Sequence, residues 1–178
     1  MDSVRGKLLI ASPGLLDPNF WRTVVLVIEH SEEGAFGLVL NRPSETSVGE
    51  AVQELEELVD PSEPLFIGGP VQPSSVIVLG HFEDPGDAAL LAFDDVGVLG
   101  AAEQRSAGLK KGRAFVGHSG WGAGQLDSEL ERGDWILEAA RLEDAFSTEP
   151  RDLWHDVLTR KGGSYALVAR MPPDPSLN

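Results

Sequence analysis

The chain has 178 residues and no cysteine; 42% are hydrophobic, 24% are charged, and 14 Lys plus Arg against 29 Asp plus Glu give a formal net charge of −15. That length suits one domain with apolar content for a core, and the lack of cysteine excludes disulfide frameworks, thiol nucleophiles and Cys-ligated metal sites. The acidic excess argues against direct nucleic-acid binding and against attachment to anionic membranes, since those surfaces are held by clustered Lys and Arg and the densest basic cluster is Lys110-Lys111-Gly112-Arg113.

Along the chain, Asp2 near the start and Pro13-Gly14 after the apolar stretch Leu8 to Ala11 do not read as a signal peptide. Apolar runs such as Val24 to Ile28 fall far short of the about 20 residues of a membrane-spanning helix. A cytoplasmic setting is the expectation. Short Val-, Ile-, Leu- and Phe-rich runs bounded by Gly and Pro predict strands at Lys7–Ala11, Val24–His30, Ala35–Leu40, Leu65–Ile67, Ser75–His81, Arg113–Gly117, Trp135–Glu138 and Tyr165–Ala169. Ser31-Glu32-Glu33-Gly34 between the second and third predicts a hairpin, so part of the sheet is antiparallel.

Helices are expected between these strands. Ser47 and Glu50 have capping-box spacing, and Val48, Ala51, Val52, Leu55, Leu58 and Val59 follow the helical period, predicting a helix from Val48 to Val59. Others are expected over Leu99–Gly108, Gly124–Arg132 and Pro150–Arg160, the last stopped by Gly162-Gly163. Residues 171–178 read as a frayed tail of a single domain spanning 1–178.

The densest unusual stretch runs from Arg113 to Leu126 and predicts a strand, a glycine-rich turn and a helix start, an arrangement that can cradle anions with backbone N–H groups. Gly117 and Gly122 have P-loop spacing, but Ala123-Gly124 stands where Lys-Ser/Thr belongs. Gly117-His118-Ser119-Gly120-Trp121 approaches a nucleophile elbow, with Trp121 replacing the final Gly; a hydrolase would use Ser119 with His118 or His155 as base. The bland alternative is a structural turn with Trp121 filling the core. His30, His81 and His118 lie at strand ends without metal-ligand spacing, so neither a metal nor another cofactor is expected.

Gly6-Lys7-Leu8-Leu9-Ile10-Ala11, Asp17-Pro18-Asn19-Phe20-Trp21-Arg22-Thr23-Val24-Val25, Gly37-Leu38-Val39-Leu40-Asn41-Arg42-Pro43, Gly68-Gly69-Pro70-Val71 and Gly117 to Leu126 occur in an order and spacing that resemble the YqgE/AlgH family of bacterial proteins. The resemblance implies an α+β single domain: a mixed, largely antiparallel sheet curled toward a barrel, with helices packed outside. It supplies no reaction, although some members are described as transcriptional regulators. His118 departs from the Tyr or Phe usual at that position. The motif positions Asp17, Arg22, Asn41, Arg42, Pro43, Gly68, Gly69, Pro70, Gly120, Trp121 and Gln125 are the candidate ligand- or partner-binding residues.

Three functions follow as expectations. The first is a non-catalytic binding or regulatory protein whose strand-end loops recognise a small molecule or a protein partner through Arg42, Trp121 and Gln125. The second is a serine hydrolase using Ser119. The third is a DNA-binding regulator, opposed by the net charge of −15 and by the lack of a helix-turn-helix pattern. A homo-oligomer is compatible with all three.

Overall fold

The computed structural model describes residues 2–100 and 108–173. Ten strands form one sheet: β1 (Lys7–Ala11), β2 (Val24–Ser31), β3 (Gly34–Val39), β4 (Pro43–Ser47), β5 (Pro64–Ile67), β6 (Val71–Phe82), β7 (Leu90–Phe93), β8 (Val96–Val98), β9 (Leu109–Trp121) and β10 (Trp135–Ala139). The order is β10-β1-β2-β3-β9-β6-β8-β7, with β5 on β9 and β4 on β5. Only β5 with β9 is parallel. The sheet curls without closing: β7, at one end of the order, folds back against β2. Gly6 lies so close to it that a Cβ would meet the Ala92 carbonyl oxygen at 2.3 Å.

Strand periodicity explains the unbroken apolar runs. Successive side chains point to opposite faces of a sheet, and here both faces are covered. Leu8, Ile10, Val24, Leu26, Ile28, Leu38 and Leu40 face a core completed by Leu153, Trp154, Val157 and Leu158 of α4 (Leu153–Lys161). Their neighbours Leu9, Ala11, Val25, Val27 and Val39 face a second core with Trp121, Trp135 and Leu126 of α2 (Gln125–Glu131). Buried Asp144 of α3 (Leu142–Ala145) takes both terminal nitrogens of Arg160, at 2.8 and 3.0 Å, which clamps α3 to α4.

β4, β7, β8 and α3 have no counterpart among the expected elements, and two expected elements take another form. The helix predicted to Val59 is a single turn, α1 (Val48–Ala51), followed by a 3₁₀ turn at Gln53–Leu55. Ser47 does cap it, accepting from the Glu50 N–H. Glu50, Glu54 and Glu57 fall at i, i+4 and i+7 with no cation among them, and such like-charge spacing opposes a longer helix. Tyr165–Ala169, expected as a strand, lies on the helix α5 (Ser164–Val168). Gly162 and Gly163 take positive φ before it, so the chain restarts as a helix that turns Tyr165 and Val168 onto the core. The helix expected over Leu99–Gly108 falls mostly on residues outside those described. Among the described residues no helix is long and apolar enough to cross a membrane.

Candidate functional site

The glycine-rich segment is not a strand-to-helix turn at Gly117. Gly117 takes φ +71 as a bulge, and β9 continues through His118 to Trp121, pairing Ser119 with Gly37 and Gly120 with Phe36. Ser119 is therefore a strand residue with 0% exposure, and its hydroxyl donates to the Gly68 carbonyl at 3.1 Å. Neither His118 nor His155 is bonded to it: His118 packs against Phe36 with ring centroids 4.9 Å apart and planes tilted by 58°, and His155 stands on the exposed face of α4 beside Asp156. Burial pulls the His118 imidazole below the usual histidine value, favouring its neutral form. The other strand-end histidines have separate tasks. His30 accepts the Val4 N–H at Nδ1 and sets Nε2 3.0 Å from Asp127, while His81 sits on β6 opposite Val96 and Lys111.

The motif residues fall into three groups, each bonded inward. In the first, the Arg42 guanidinium donates to the carbonyls of Asn19, Pro18 and Trp21 at 2.7, 3.0 and 3.1 Å. Burial lowers its pKa and the Asp17 carboxylate opposes that shift, while Asp17 itself accepts from the Asn19 N–H. Asn41 bridges β2 to β3, donating to the Arg22 carbonyl and accepting from the Val24 N–H. Arg22, at a left-handed φ of +53, lays its guanidinium 4.3 Å from the Trp154 ring and donates to the carbonyls of Met171 and Pro172.

The second group is a backbone crossing. Gly68 donates to the Val116 carbonyl and accepts from Val39, and Gly69, just before Pro70, passes so close to β9 that a Cβ would lie 2.2 Å from the His118 carbonyl. Only glycine permits this approach. The third group surrounds Glu129 on α2. Its Oε1 accepts both indole N–H groups, from Trp121 and Trp135, at 3.0 Å each, and its Oε2 accepts from Gln125 at 3.1 Å. Gly120, by contrast, would place a Cβ at ordinary contact distance, 3.7 Å from Val71 and 4.0 Å from His118.

Pro43 leads elsewhere. Together with β5, β9 and the segment 147–151 it borders an open cleft of about 480 Å³, within the roughly 300–1,000 Å³ usual for small-ligand sites. Phe66 and the prolines Pro43, Pro64 and Pro150 supply apolar walls; Lys111, Arg113 and Arg151 supply cations, and Glu63 and Glu149 supply acids. Arg113 is only 3% exposed. Its Nη1 donates to the Ser147 carbonyl at 2.9 Å, its carbon lies 4.7 Å over the Phe66 ring, and its Nε has no hydrogen-bond partner. Nη2 stands 3.6 Å from Glu63 Oε2, longer than a hydrogen bond, while Lys111 Nζ is 3.3 Å from Glu63 Oε1. Burial lowers the Arg113 pKa against the pull of Glu63, and the guanidinium stays charged because arginine loses its proton only far above neutrality. Glu63 and Arg151 lie outside the motifs; the traces of the cleft in the sequence are Pro43 and the basic run from Lys110 to Arg113 in an acidic chain. Among the described residues, no group of three or more His, Asp or Glu is placed to hold a metal ion.

Comparison with known proteins places this geometry. A family profile described as AlgH-like matches residues 8–166. A UPF0301 protein of Chlorobaculum tepidum is 42% identical over 180 residues, covering 97% of this chain and 95% of the relative. One of Streptomyces coelicolor is 40% identical over 189 residues, covering 100% and 97%. The crystal structure of a protein from Corynebacterium diphtheriae superposes with a TM-score of 0.82 at 30% identity, covering 95% of this chain and 93% of that one. The solution structure of the AlgH protein from Pseudomonas aeruginosa gives 0.72 at 28% identity, covering 97% of both.

Proposed function

The chain belongs to the AlgH-like family, and from that premise we propose that it is a non-catalytic binding protein of the cytoplasm, acting in regulation through a small molecule held in the cleft at Arg113. The observation that carries this reading is the cleft itself: an open site of ligand size where a buried arginine has an unused donor. Buried polar groups are almost always paired, so an unpaired one beside a cleft is a group waiting for an acceptor. Two further features support a role in binding. Ser119, the one serine in an elbow-like motif, is buried and bonded to a carbonyl instead of an imidazole. The motif residues around Arg42 and Glu129 hold loops and indoles in place, so their part is to shape the protein that carries the cleft.

The test is a thermal-shift screen of the purified protein against cellular metabolites. A ligand at 100 times its dissociation constant adds about 2.7 kcal/mol of stability. The reading expects at least one class of metabolite to raise the melting temperature, and expects Thr148→Trp, which fills the cleft from its exposed wall, to abolish that shift. A shift that persists in Thr148→Trp would move the site away from the cleft.

A further inference from the structure

We propose that the cleft is selective for a small organic oxyanion, a carboxylate or a singly charged phosphate ester with an apolar body, anchored on the Nε–Nη2 edge of Arg113 and steadied by Lys111 and Arg151. This inference rests on the cleft being the binding site and adds the chemistry of what enters it. An arginine presents donors in planar pairs that match the two oxygens of a carboxylate or phosphate. In Arg113 the Nη1 end is committed to the Ser147 carbonyl. The edge left over is Nε and Nη2; among the described residues Nε is unpaired and Nη2 has only Glu63 Oε2, at 3.6 Å. Glu63 thus occupies the place of an anion without making the bonds of one. An entering oxyanion takes the place of Glu63 Oε2 beside Nη2, while Glu63 Oε1 keeps its contact with Lys111 Nζ at 3.3 Å.

The charge count sets the size and valence of the guest. Three cations and two carboxylates line the cleft among the described residues, a local balance of about +1, which one anionic group neutralises. The whole chain carries a net −15, so the surface around this locally positive cleft is strongly acidic and a polyanion would meet repulsion over every part that extends beyond the cleft, within a screening distance of about 8 Å at physiological salt. A small ligand buried in the cleft feels chiefly the local cations. The ring of Phe66 and the three prolines give its body an apolar wall. Arg151, on the exposed segment 147–151, makes one long bond of 3.4 Å to the Pro43 carbonyl and is free to turn toward a bound anion.

Isothermal titration of the full chain with benzoate, the singly charged diester methyl phenyl phosphate and the neutral isostere benzamide tests this, with the two anions distinguishing carboxylate from phosphate chemistry. The expected result is saturable binding of at least one anion, about tenfold or more tighter than benzamide, as befits a charge-assisted pair. Lys111→Ala and Arg151→Ala, both on exposed side chains, each weaken it several-fold, and Glu63→Gln tightens it by removing the resident carboxylate. Benzamide binding as tightly as the anions overturns the oxyanion inference and leaves the cleft as a binding site. Anion binding indifferent to Lys111→Ala, Arg151→Ala and Glu63→Gln also overturns it, as does binding of neither anion. Absence of binding by all three compounds together with a flat metabolite screen sinks the cleft reading as well.

Discussion

At the scale of single residues, neighbouring glycines of the motifs do different work. Gly69 combines φ +152 with a place where any Cβ would press into the His118 backbone at 2.2 Å, so Gly69→Ala should cost about 3 kcal/mol or more, measured by denaturant unfolding. Gly120 has nothing closer than 3.7 Å to a built Cβ, and Gly120→Ala should stay within about 0.5 kcal/mol of wild type in the same assay. His118 carries a pH signature. Its folded pKa lies below the value of the unfolded chain because burial disfavours the imidazolium. The unfolded state therefore takes up the proton first, and stability is lost as pH falls from the ordinary histidine range through the lower folded value. Unfolding of His118→Phe followed over the same pH range should lose that part of the slope, keeping a ring packed against Phe36 without a titratable group.

At the scale of elements, α2 is tied to the sheet by one carboxylate. Glu129→Ala strands two largely buried indole donors, each costing about 1–3 kcal/mol, and should lower the melting temperature by about 5 °C or more; Glu129→Gln, which keeps an acceptor, should restore most of it. This role was hidden in the sequence, where Glu129 is one of 29 acids and nothing marks it as the partner of two indoles. The strands were legible because their two-faced burial leaves runs such as Val24 to Ile28 with nothing polar. What was not legible had competing local signals. The period from Val48 to Val59 is helical, but its row of glutamates and the hydrogen bond from Gly49 to the Pro61 carbonyl stop it after one turn. Tyr165 to Ala169 is too short for period to separate strand from helix. Gly117 looked like the start of a turn, whereas pairing of Ser119 to Trp121 with β3 draws the strand onward.

At the scale of the molecule, most motif residues lie away from the cleft, with Pro43 on its wall. Arg42, Trp121 and Gln125 stand out in the sequence because they hold backbone carbonyls, a tryptophan pair and a helix start, tasks that tolerate few side chains. The cleft is assembled from β4, β5, β9 and the segment before α4, stretches far apart in sequence, so no local pattern could announce it. The curled sheet brings them together, and Arg113, at the centre of the long β9, faces the one carboxylate that only partly satisfies it. The central claim is that ligands enter there, and amide chemical-shift mapping of the labelled protein titrated with the best compound from the metabolite screen tests it most directly. The account predicts perturbations centred on Ser44, Glu63, Lys111, Arg113, Thr148 and Arg151, saturating together. Perturbations centred instead on Phe36, Val71 and His118, with those six amides unmoved, would contradict it.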